Sequence, residues 1–303
     1  MPRKKNRIER QTTSRFKKSN RAFMQNLILS LHIFVALMLM PLLSAAGDLS
    51  RDVRTGVSNP QAGESNYIEL GVSLGAYTSP FYGVPEGNEK NKNLLAASLD
   101  LNLHLQYKGF FMEGFSQSLE QFTFGYHWKE GERWSLDVVS LEQHQELSSD
   151  ESEDLQGLKT RHSDYMFGLR ATGYYEKYIF QMHGLTDISG VHNGQVLSFK
   201  LARHWQYKNW NIHAIASTSY RTQPVANYYF GVKSADATEK FTPFDAEAGF
   251  IQAYEVGVSY PLSQKWVFRS LYRHVELSQE WKNSPLLTSN QGNILLNSIT
   301  YVF

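Results

Sequence analysis

Ten histidines in a chain of 303 residues invite a search for catalytic groups. The segment GVHNGQ places His192 between Ser189 and Ser198, and a serine nucleophile needs a histidine base within hydrogen-bond reach. The same segment is rich in Gly and Asn, which favour turns. A polar loop is therefore the preferred interpretation of His192, and a hydrolytic serine is the alternative.

Four more histidines alternate with apolar residues and share predicted faces with charged and amide side chains. The set comprises His104, His183, His204, His213, Asp100, Lys200 and Asn211. Such a set could bind a metal ion or carry protons. A hydrogen-bonded polar interior is the preferred interpretation, because the strands predicted below suit a membrane barrel, whose interior is polar.

An acidic segment, SSDESEDL at Ser148–Leu155, could gather cations. It lacks the Gly and the ligand spacing of a calcium-binding hand, so we interpret it as a solvated loop. The chain has no cysteine, which excludes disulfides and thiolate metal sites. We therefore predict no catalytic residue, no cofactor and no metal site.

One polar stretch carries more aromatic residues than a loop exposed to water needs. They are Tyr228, Tyr229, Phe230, Phe241 and Phe244. They could lie at the outer membrane interface, or they could fold back as a lid over the mouth of a barrel. Pro and Gly interrupt any continued strand here, which favours infolding into a candidate lid loop.

The elements that must position these side chains are strands. From Tyr67 onward apolar residues alternate with polar ones, as in Ile68, Leu70, Val72 and Leu74, and alternate residues of a strand point to opposite faces. Twelve such segments lie near 66–76, 94–107, 109–117, 120–128, 133–141, 164–175, 178–185, 194–206, 209–220, 249–260, 265–275 and 293–303. Several have about ten residues, the length of a tilted strand that crosses a bilayer.

The strands of a soluble β-sandwich also alternate apolar with polar residues, but the connections between the strands favour a membrane barrel. Short junctions such as YKG at 107–109 and YKN at 207–209 alternate with long polar ones such as 142–163 and 221–248. Short turns at one end and long loops at the other are typical of outer-membrane barrels. We predict an all-β, transmembrane, antiparallel up-and-down β-barrel of about 12 strands over residues 66–303.

Aromatic residues flank the short junctions, and amphipathic rings prefer the membrane interface. The predicted periplasmic girdle comprises Trp128, Trp134, Tyr175, Tyr178, Trp205, Trp210, Tyr260 and Trp266. The chain ends in NSITYVF, and the last strand must close against the first to leave no unpaired edge. Ile299, Tyr301 and Phe303 resemble the carboxyl-terminal signal by which the barrel-assembly machinery recognises outer-membrane proteins.

Residues 1–46 have the composition of a secretory signal peptide: nine Lys and Arg, an apolar run from Leu27 to Leu43, then small residues. We expect cleavage after Ala46, with an uncleaved anchor as the alternative, and a flexible periplasmic lead-in over 47–65. The rest of the chain carries a net charge of about −7, so nothing in it suggests nucleic-acid binding. A mean hydropathy of −0.41 argues against a bundle of membrane helices.

The last third of the chain resembles the MltA-interacting protein (MipA/OmpV) family. The resemblance lies in NYYFGVKSADA (Asn227–Ala237), AYEVGVSYPLSQKWVFRSLYRHVEL (Ala253–Leu277), NSP (Asn283–Pro285) and the final YVF. YTSPFYGV (Tyr77–Val84) is similar to the first loop of that family, except that Val84–Pro85 stands where a small polar residue is expected. The resemblance covers most of residues 66–303.

The resemblance implies a barrel in the cell outer membrane of a Gram-negative bacterium and brings no catalytic residues. It implies a non-enzymatic scaffold that joins a murein transglycosylase to a bifunctional murein synthase in peptidoglycan metabolism. A small pore, an adhesin or antigen, and an outer-membrane lipid hydrolase are the alternatives. The expected partners are these enzymes, outer-membrane lipid and the barrel-assembly machinery.

Overall fold

A computed structural model describes residues 49–56, 66–84, 88, 90, 93–118, 120, 122–144, 146–149 and 153–303. The expected signal peptide, 1–46, lies outside the described residues, as do residues 47–48 and 57–65 of the expected lead-in. Within the described ranges, no helix is long and apolar enough to cross a membrane.

Twelve strands account for most of the described chain, as the alternation predicts. They are β1 Tyr67–Thr78, β2 Leu94–Tyr107, β3 Phe110–Phe115, β4 Phe122–Gly131, β5 Trp134–Glu142, β6 Tyr165–Tyr175, β7 Tyr178–Asp187, β8 Gln195–Tyr207, β9 Trp210–Arg221, β10 Gly249–Pro261, β11 Trp266–Leu277 and β12 Gln291–Val302. Each strand pairs antiparallel with the next, and β12 pairs with β1, so the sheet closes into a barrel. The predicted fold class and strand number are confirmed.

The barrel has two unlike ends. Five hairpins turn within two to four residues at 108–109, 132–133, 176–177, 208–209 and 262–265, and we call this the short-turn end. In the first of these turns, Lys108 and Gly109 both have positive φ, which matches the right-handed twist of a tight hairpin. Longer connections, including 143–164 and 222–248, lie at the opposite, long-loop end.

The wall is apolar outside and polar inside, the reverse of a soluble protein. Leu95 and Leu99 are more than four-fifths exposed, whereas Arg170 and His183 are buried on the inner face. Along β7 the buried Ile179, Gln181, His183 and Leu185 alternate with residues on the other face. This arrangement suits lipid as the surrounding solvent, because apolar side chains lose nothing there and polar side chains find partners inside.

The described residues also contain two α-helices outside the strands. α1 spans Leu49–Thr55 and packs inside the barrel against β7, β8, β9 and β10. α2 spans Gln223–Phe230, with Pro224 in its first turn, and packs at the long-loop end. The expectation of a flexible lead-in is therefore wrong for residues 49–55, because Leu49 and Val53, one helical turn apart, find an apolar surface inside the barrel.

The apolar core lies at the long-loop end, where loops fold over the mouth of the barrel. Phe230 of α2 stacks on Trp281 with ring centroids 4.2 Å apart, and both side chains are fully buried. Strand residues such as Met166 and Leu185 belong to the same cluster. This core fixes the loops that carry the site described next.

Candidate functional site

Asp164 is the centre of a cluster at the long-loop end. Its Oδ2 accepts hydrogen bonds from His144 Nδ1 at 2.7 Å and His192 Nε2 at 2.9 Å. Its Oδ1 accepts the backbone N–H groups of Gln143 and His144 at 3.1 and 3.0 Å. Asp164 is fully buried, so the loops carrying the two histidines are bound to one carboxylate.

The hydrogen bonds of the cluster fix the tautomers of both histidines. Arg221 Nε donates to His144 Nε2 at 3.1 Å, and the N–H of Gly194 donates to His192 Nδ1 at 2.9 Å. A nitrogen that accepts a hydrogen bond carries no proton, so in each ring the other nitrogen holds it. Both rings are therefore neutral, and both donate N–H to Asp164.

The same bonds argue against a metal ion at this cluster. One nitrogen from each of the two histidines and one oxygen of Asp164 lie within 4.8 Å of one another, which is close enough to share an ion. A metal needs an unprotonated nitrogen from each ring. If the nitrogens that face Asp164 lost their protons to a metal, each neutral ring would carry its proton on the other nitrogen. Those nitrogens face the N–H groups of Arg221 and Gly194, so two donors would point at each other in each pair.

Burial also governs the proton affinities in the cluster. Burial lowers the pKa of His144 to about 4, helped by the cation of Arg221 and opposed by the bond to Asp164. Burial alone would raise the pKa of Asp164, but its bonds from His144 and His192 hold that pKa below its usual range. Burial, with the charge of Asp164, raises the pKa of Tyr229. The cluster therefore combines an anionic carboxylate with a neutral His144 ring near neutral pH.

The hydrolase alternative finds no support in the positions of its residues. His192 lies in the loop between β7 and β8, and both of its ring nitrogens are already committed. The hydroxyl of Ser189 donates to Asp187 Oδ1 at 2.6 Å, and Ser198 lies on β8 opposite His183. Neither serine is thus activated by His192.

The residues of the candidate lid loop lie inward. Tyr229, Phe230 and Phe241 are buried, and Tyr228 and Phe244 pack against the core at the long-loop end. Tyr229 stacks on His144 with ring centroids 4.1 Å apart, which connects the aromatic loop to the Asp164 cluster. Of the acidic segment, residues 150–152 lie outside the described residues, while Leu155 is buried among loop residues.

Inside the barrel, the inward set predicted from alternation is buried and paired. His104 lies 3.4 Å from Glu113, His183 lies 3.2 Å from Glu120, and His213 lies 3.0 Å from Glu255. Lys200 pairs with Glu120 at 2.8 Å, and Asp100 accepts from Ser73 at 3.0 Å. His204 lies opposite His213 in the ladder between β8 and β9.

Arginines complete the network along the inner wall. Arg170 joins Glu113 and Asp137 at 2.7 and 2.9 Å, and Arg269 donates twice to Glu69 at 2.8 and 2.9 Å. Sequence reasoning missed these pairs, since their members lie up to 200 residues apart. One cavity within this network has a volume of about 20 Å³, room for about one water molecule.

The predicted girdle residues lie at the short-turn end. Trp128, Trp134, Tyr175, Trp205, Trp210 and Trp266 are exposed on the barrel, and Tyr178 and Tyr260 are partly exposed. Trp210 packs on Tyr260 with ring centroids 4.6 Å apart. Of the carboxyl-terminal residues, Ile299 and Phe303 are exposed, and Tyr301 packs between Trp266 and Phe303.

Known proteins resemble this chain over most of the barrel. The model of the family described as MltA-interacting protein MipA matches residues 70–303. The outer membrane protein Omp26La of Vibrio anguillarum is 29% identical over 90 residues, which cover 29% of this chain and only about a third (34%) of that protein. The outer membrane protein OmpV of Vibrio cholerae is 28% identical, with the same coverage of both proteins.

A longer match exists to the putative outer membrane protein YiaT of Escherichia coli O157:H7, with 20% identity over 84% of this chain and 99% of that protein. Among solved structures, the NanC porin matches with a TM-score of 0.44 and 12% identity, covering 77% of this chain and 98% of that one. Together with the closed 12-stranded barrel, the family match over residues 70–303 places the protein in the outer membrane and shows that the chain belongs to the MltA-interacting protein MipA family.

Proposed function

We propose that this protein is a non-enzymatic scaffold that binds a murein transglycosylase and a bifunctional murein synthase on its periplasmic side. The observation that carries the proposal is membership of a family described by its interaction with the transglycosylase MltA. In this proposal the short-turn end faces the periplasm, as the short turns of outer-membrane barrels do.

The filled lumen supports a function on the outside of the barrel. Arg170, Arg269 and Arg273 each pair with a carboxylate of a nearby strand on the inner wall, and α1 packs inside the barrel against β7, β8, β9 and β10. The side chains leave little space for a substrate in this part of the described structure. A partner would therefore meet the rim of the barrel rather than its interior.

The short-turn end offers a rigid surface with exposed cations. Lys108 lies over the ring of Tyr107 at 5.1 Å, Lys208 over Tyr207 at 5.6 Å and Lys265 over Tyr301 at 5.3 Å. Cations held over aromatic faces lose less conformational entropy on binding than freely moving lysines do. These three lysines, here called the rim lysines, suit a partner with acidic side chains.

A pull-down tests the scaffold. The purified protein is immobilised and presented with a murein transglycosylase and a murein synthase, and we expect both to be retained. Replacement of the three rim lysines, Lys108→Glu, Lys208→Glu and Lys265→Glu, should weaken retention at least tenfold. The control replaces two exposed lysines of the long-loop end, Lys233→Glu and Lys282→Glu, and should leave retention unchanged. No retention of either enzyme by the unmodified protein would refute the proposal.

A pore is the alternative function, because the interior is polar. The buried ion pairs of the inner wall and the packing of α1 inside the barrel favour a closed state. We expect no steady single-channel steps when the protein is inserted in a planar bilayer. Steady steps in the unmodified protein would favour the pore.

A further inference from the structure

α1 lies in the barrel in the manner of a bound peptide. Its apolar residues Leu49 and Val53 are fully buried against Tyr174, Ile179 and Ala202 of the wall. These contacts form one side of a notch in the inner wall, here called the α1 notch, which is lined by strands β6 to β10. The notch thus recognises two apolar side chains one helical turn apart.

Polar groups of the α1 notch recognise the rest of the helix. Arg54 donates to Glu255 Oε1 through Nη2 at 2.6 Å and Nε at 3.1 Å, and to the carbonyl of Gln117 at 3.2 Å. The hydroxyl of Tyr174 donates to Asp52 Oδ2 at 2.6 Å. A guanidinium bound through two of its nitrogens to one carboxylate is a specific and charge-assisted contact.

The α1 notch also binds the backbone of the helix. Asn211 Nδ2 donates to the carbonyls of Val53 and Arg54 at 2.9 and 2.7 Å. Those carbonyls have no partner within a helix that ends at Thr55, so Asn211 satisfies the end of the helix. Recognition by side chain and backbone together is how grooves bind short peptides.

The carboxyl-terminal end of α1 points toward the short-turn end. Asn211 is the second residue of β9, next to the turn at 208–209, and it holds the carboxyl-terminal end of α1. Ser50, near the other end, borders the cavity formed with Lys200 and Ser217, which lie further along the strands. The carboxyl-terminal end of α1 therefore lies nearest the opening.

The barrel does not depend on α1 for closure or for charge balance. The β1–β12 pairing closes the sheet without it. Glu255 keeps a second guanidinium, since Arg273 Nε and Nη2 lie 2.9 and 2.6 Å from Glu255 Oε2, and it also keeps His213 at 3.0 Å. Departure of Arg54 therefore does not leave Glu255 as an uncompensated buried charge.

We propose that α1 is an exchangeable occupant of the notch, and that the notch is a binding site for a short periplasmic peptide of the same chemistry. Such a ligand carries an arginine directly after an apolar residue, an acidic residue before that apolar residue, and a second apolar residue one turn earlier. This proposal concerns the lumen and does not depend on murein enzymes binding to the rim.

The first test uses a variant that lacks residues 49–56 and a synthetic peptide of the same sequence, LSRDVRTG, with a fluorophore at its carboxyl-terminal end. That end faces the opening, so the label does not enter the notch. We expect saturable binding to the variant, at least tenfold weaker binding to the full chain, and at least tenfold weaker binding of the Arg54→Leu peptide. Absence of saturable binding, or equal binding of the two peptides, would overturn the proposal.

A second test needs no deletion and decides the question if the shortened variant does not fold. The chain has no cysteine, so Ser50→Cys introduces a single thiol in α1 that is buried while the helix is docked. An excess of the peptide should speed the modification of this thiol by a maleimide several-fold, because the peptide holds α1 outside the notch. The Arg54→Leu peptide should not do so.

The matched control for the thiol test is Ser284→Cys, which is buried in the loops of the long-loop end, where its hydroxyl donates to the carbonyl of Phe230. Its modification rate should not respond to either peptide. An unchanged rate at Ser50→Cys, or a rise at both positions, would show that α1 is a fixed part of the barrel.

Discussion

At the scale of single residues, Asp164 determines how the loops meet. Four N–H groups from residues 143, 144 and 192 converge on its two oxygens. One buried carboxylate therefore holds residues that are far apart in sequence. The buried charge is stable because each lone pair of the carboxylate accepts a hydrogen bond. The cluster therefore connects the loops to one another.

Asp164→Asn tests this role directly. The new amide would point N–H groups at donors, so we expect a loss of about 1–3 kcal/mol in the free energy of unfolding in detergent, measured by urea titration. The control is Glu146→Gln, because Glu146 and His162 form a similar pair at 3.0 Å with exposed side chains. An exposed pair contributes about 0–1 kcal/mol. Equal losses in the two variants would contradict the account.

The pH dependence of stability belongs to the same residues. His144 has a pKa of about 4 in the folded protein against 6.5 for an unfolded chain, so the unfolded state binds the proton first. The contribution of His144 to the free energy of unfolding should be fully present above pH 6.5. It should fall by up to about 3 kcal/mol as the pH drops to about 4. Asp164 has a lowered pKa, so its contribution is lost only at pH values below that window.

Unfolding of the His144→Gln variant should depend less on pH between 6.5 and 4, because glutamine can donate to Asp164 and accept from Arg221 without titrating. Urea midpoints measured at half-unit intervals of pH decide this. A variant that keeps the full slope of the native protein would show that other groups cause it.

At the scale of elements, the strands are predictable from the sequence, because lipid outside and polar groups inside impose a strict period of two. The prediction for β8, 194–206, differs by one residue at each end from the observed Gln195–Tyr207. β3 is shorter than predicted and ends at Phe115, since Ser116 donates instead to the side chain of Asn102.

The interior contacts could not be predicted in this way. α1 shows only two apolar residues at helical spacing, and its ion pair with Glu255 joins residues 201 positions apart. The Asp164 cluster joins loops whose positions depend on strand closure. Alternation indicates that a side chain points inward, but it does not indicate which partner it meets there.

The last strand carries a prediction about assembly. Phe303 is 69% exposed, and its N–H donates to the carbonyl of Ile68 on β1 at 3.1 Å. We propose that the assembly machinery recognises Ile299, Tyr301 and Phe303. Deletion of Phe303 should leave a heat-modifiable band after refolding in detergent, because the barrel pairs through β12 without it, but should lower the amount in the outer membrane of cells sharply.

Cell fractionation with immunoblotting measures that amount. Deletion of the exposed Leu262 in the turn at 262–265 serves as the control for loss of one exposed apolar residue at the same end. Normal levels of the protein without Phe303 would show that this residue belongs only to the aromatic girdle and not to an assembly signal.

At the scale of the whole molecule, the described barrel has a polar interior that holds α1 and two ends with different surfaces. The long-loop end is covered by folded loops, and the short-turn end carries the girdle and the rim lysines. In our proposal the long-loop end faces the outside of the cell. A scaffold for murein enzymes needs this orientation, because murein lies in the periplasm.

Protease added to intact cells tests the orientation. Trypsin should cut after the exposed Lys159 and Lys233 in the long loops and spare Lys177 and Lys208 in the short turns. Permeabilised cells provide the control, since access from both sides should add cuts at the short turns. Cutting at Lys177 or Lys208 in intact cells would show that the short-turn end faces the outside of the cell.

The central claim is that this barrel joins two murein enzymes, and a three-component capture tests it most directly. A murein transglycosylase is immobilised on a sensor, and a bifunctional murein synthase is passed over it with or without the purified barrel. The account predicts that the synthase is retained only when the barrel is present, and that replacement of the rim lysines abolishes its retention. Equal retention without the barrel, or no retention with it, would contradict the account.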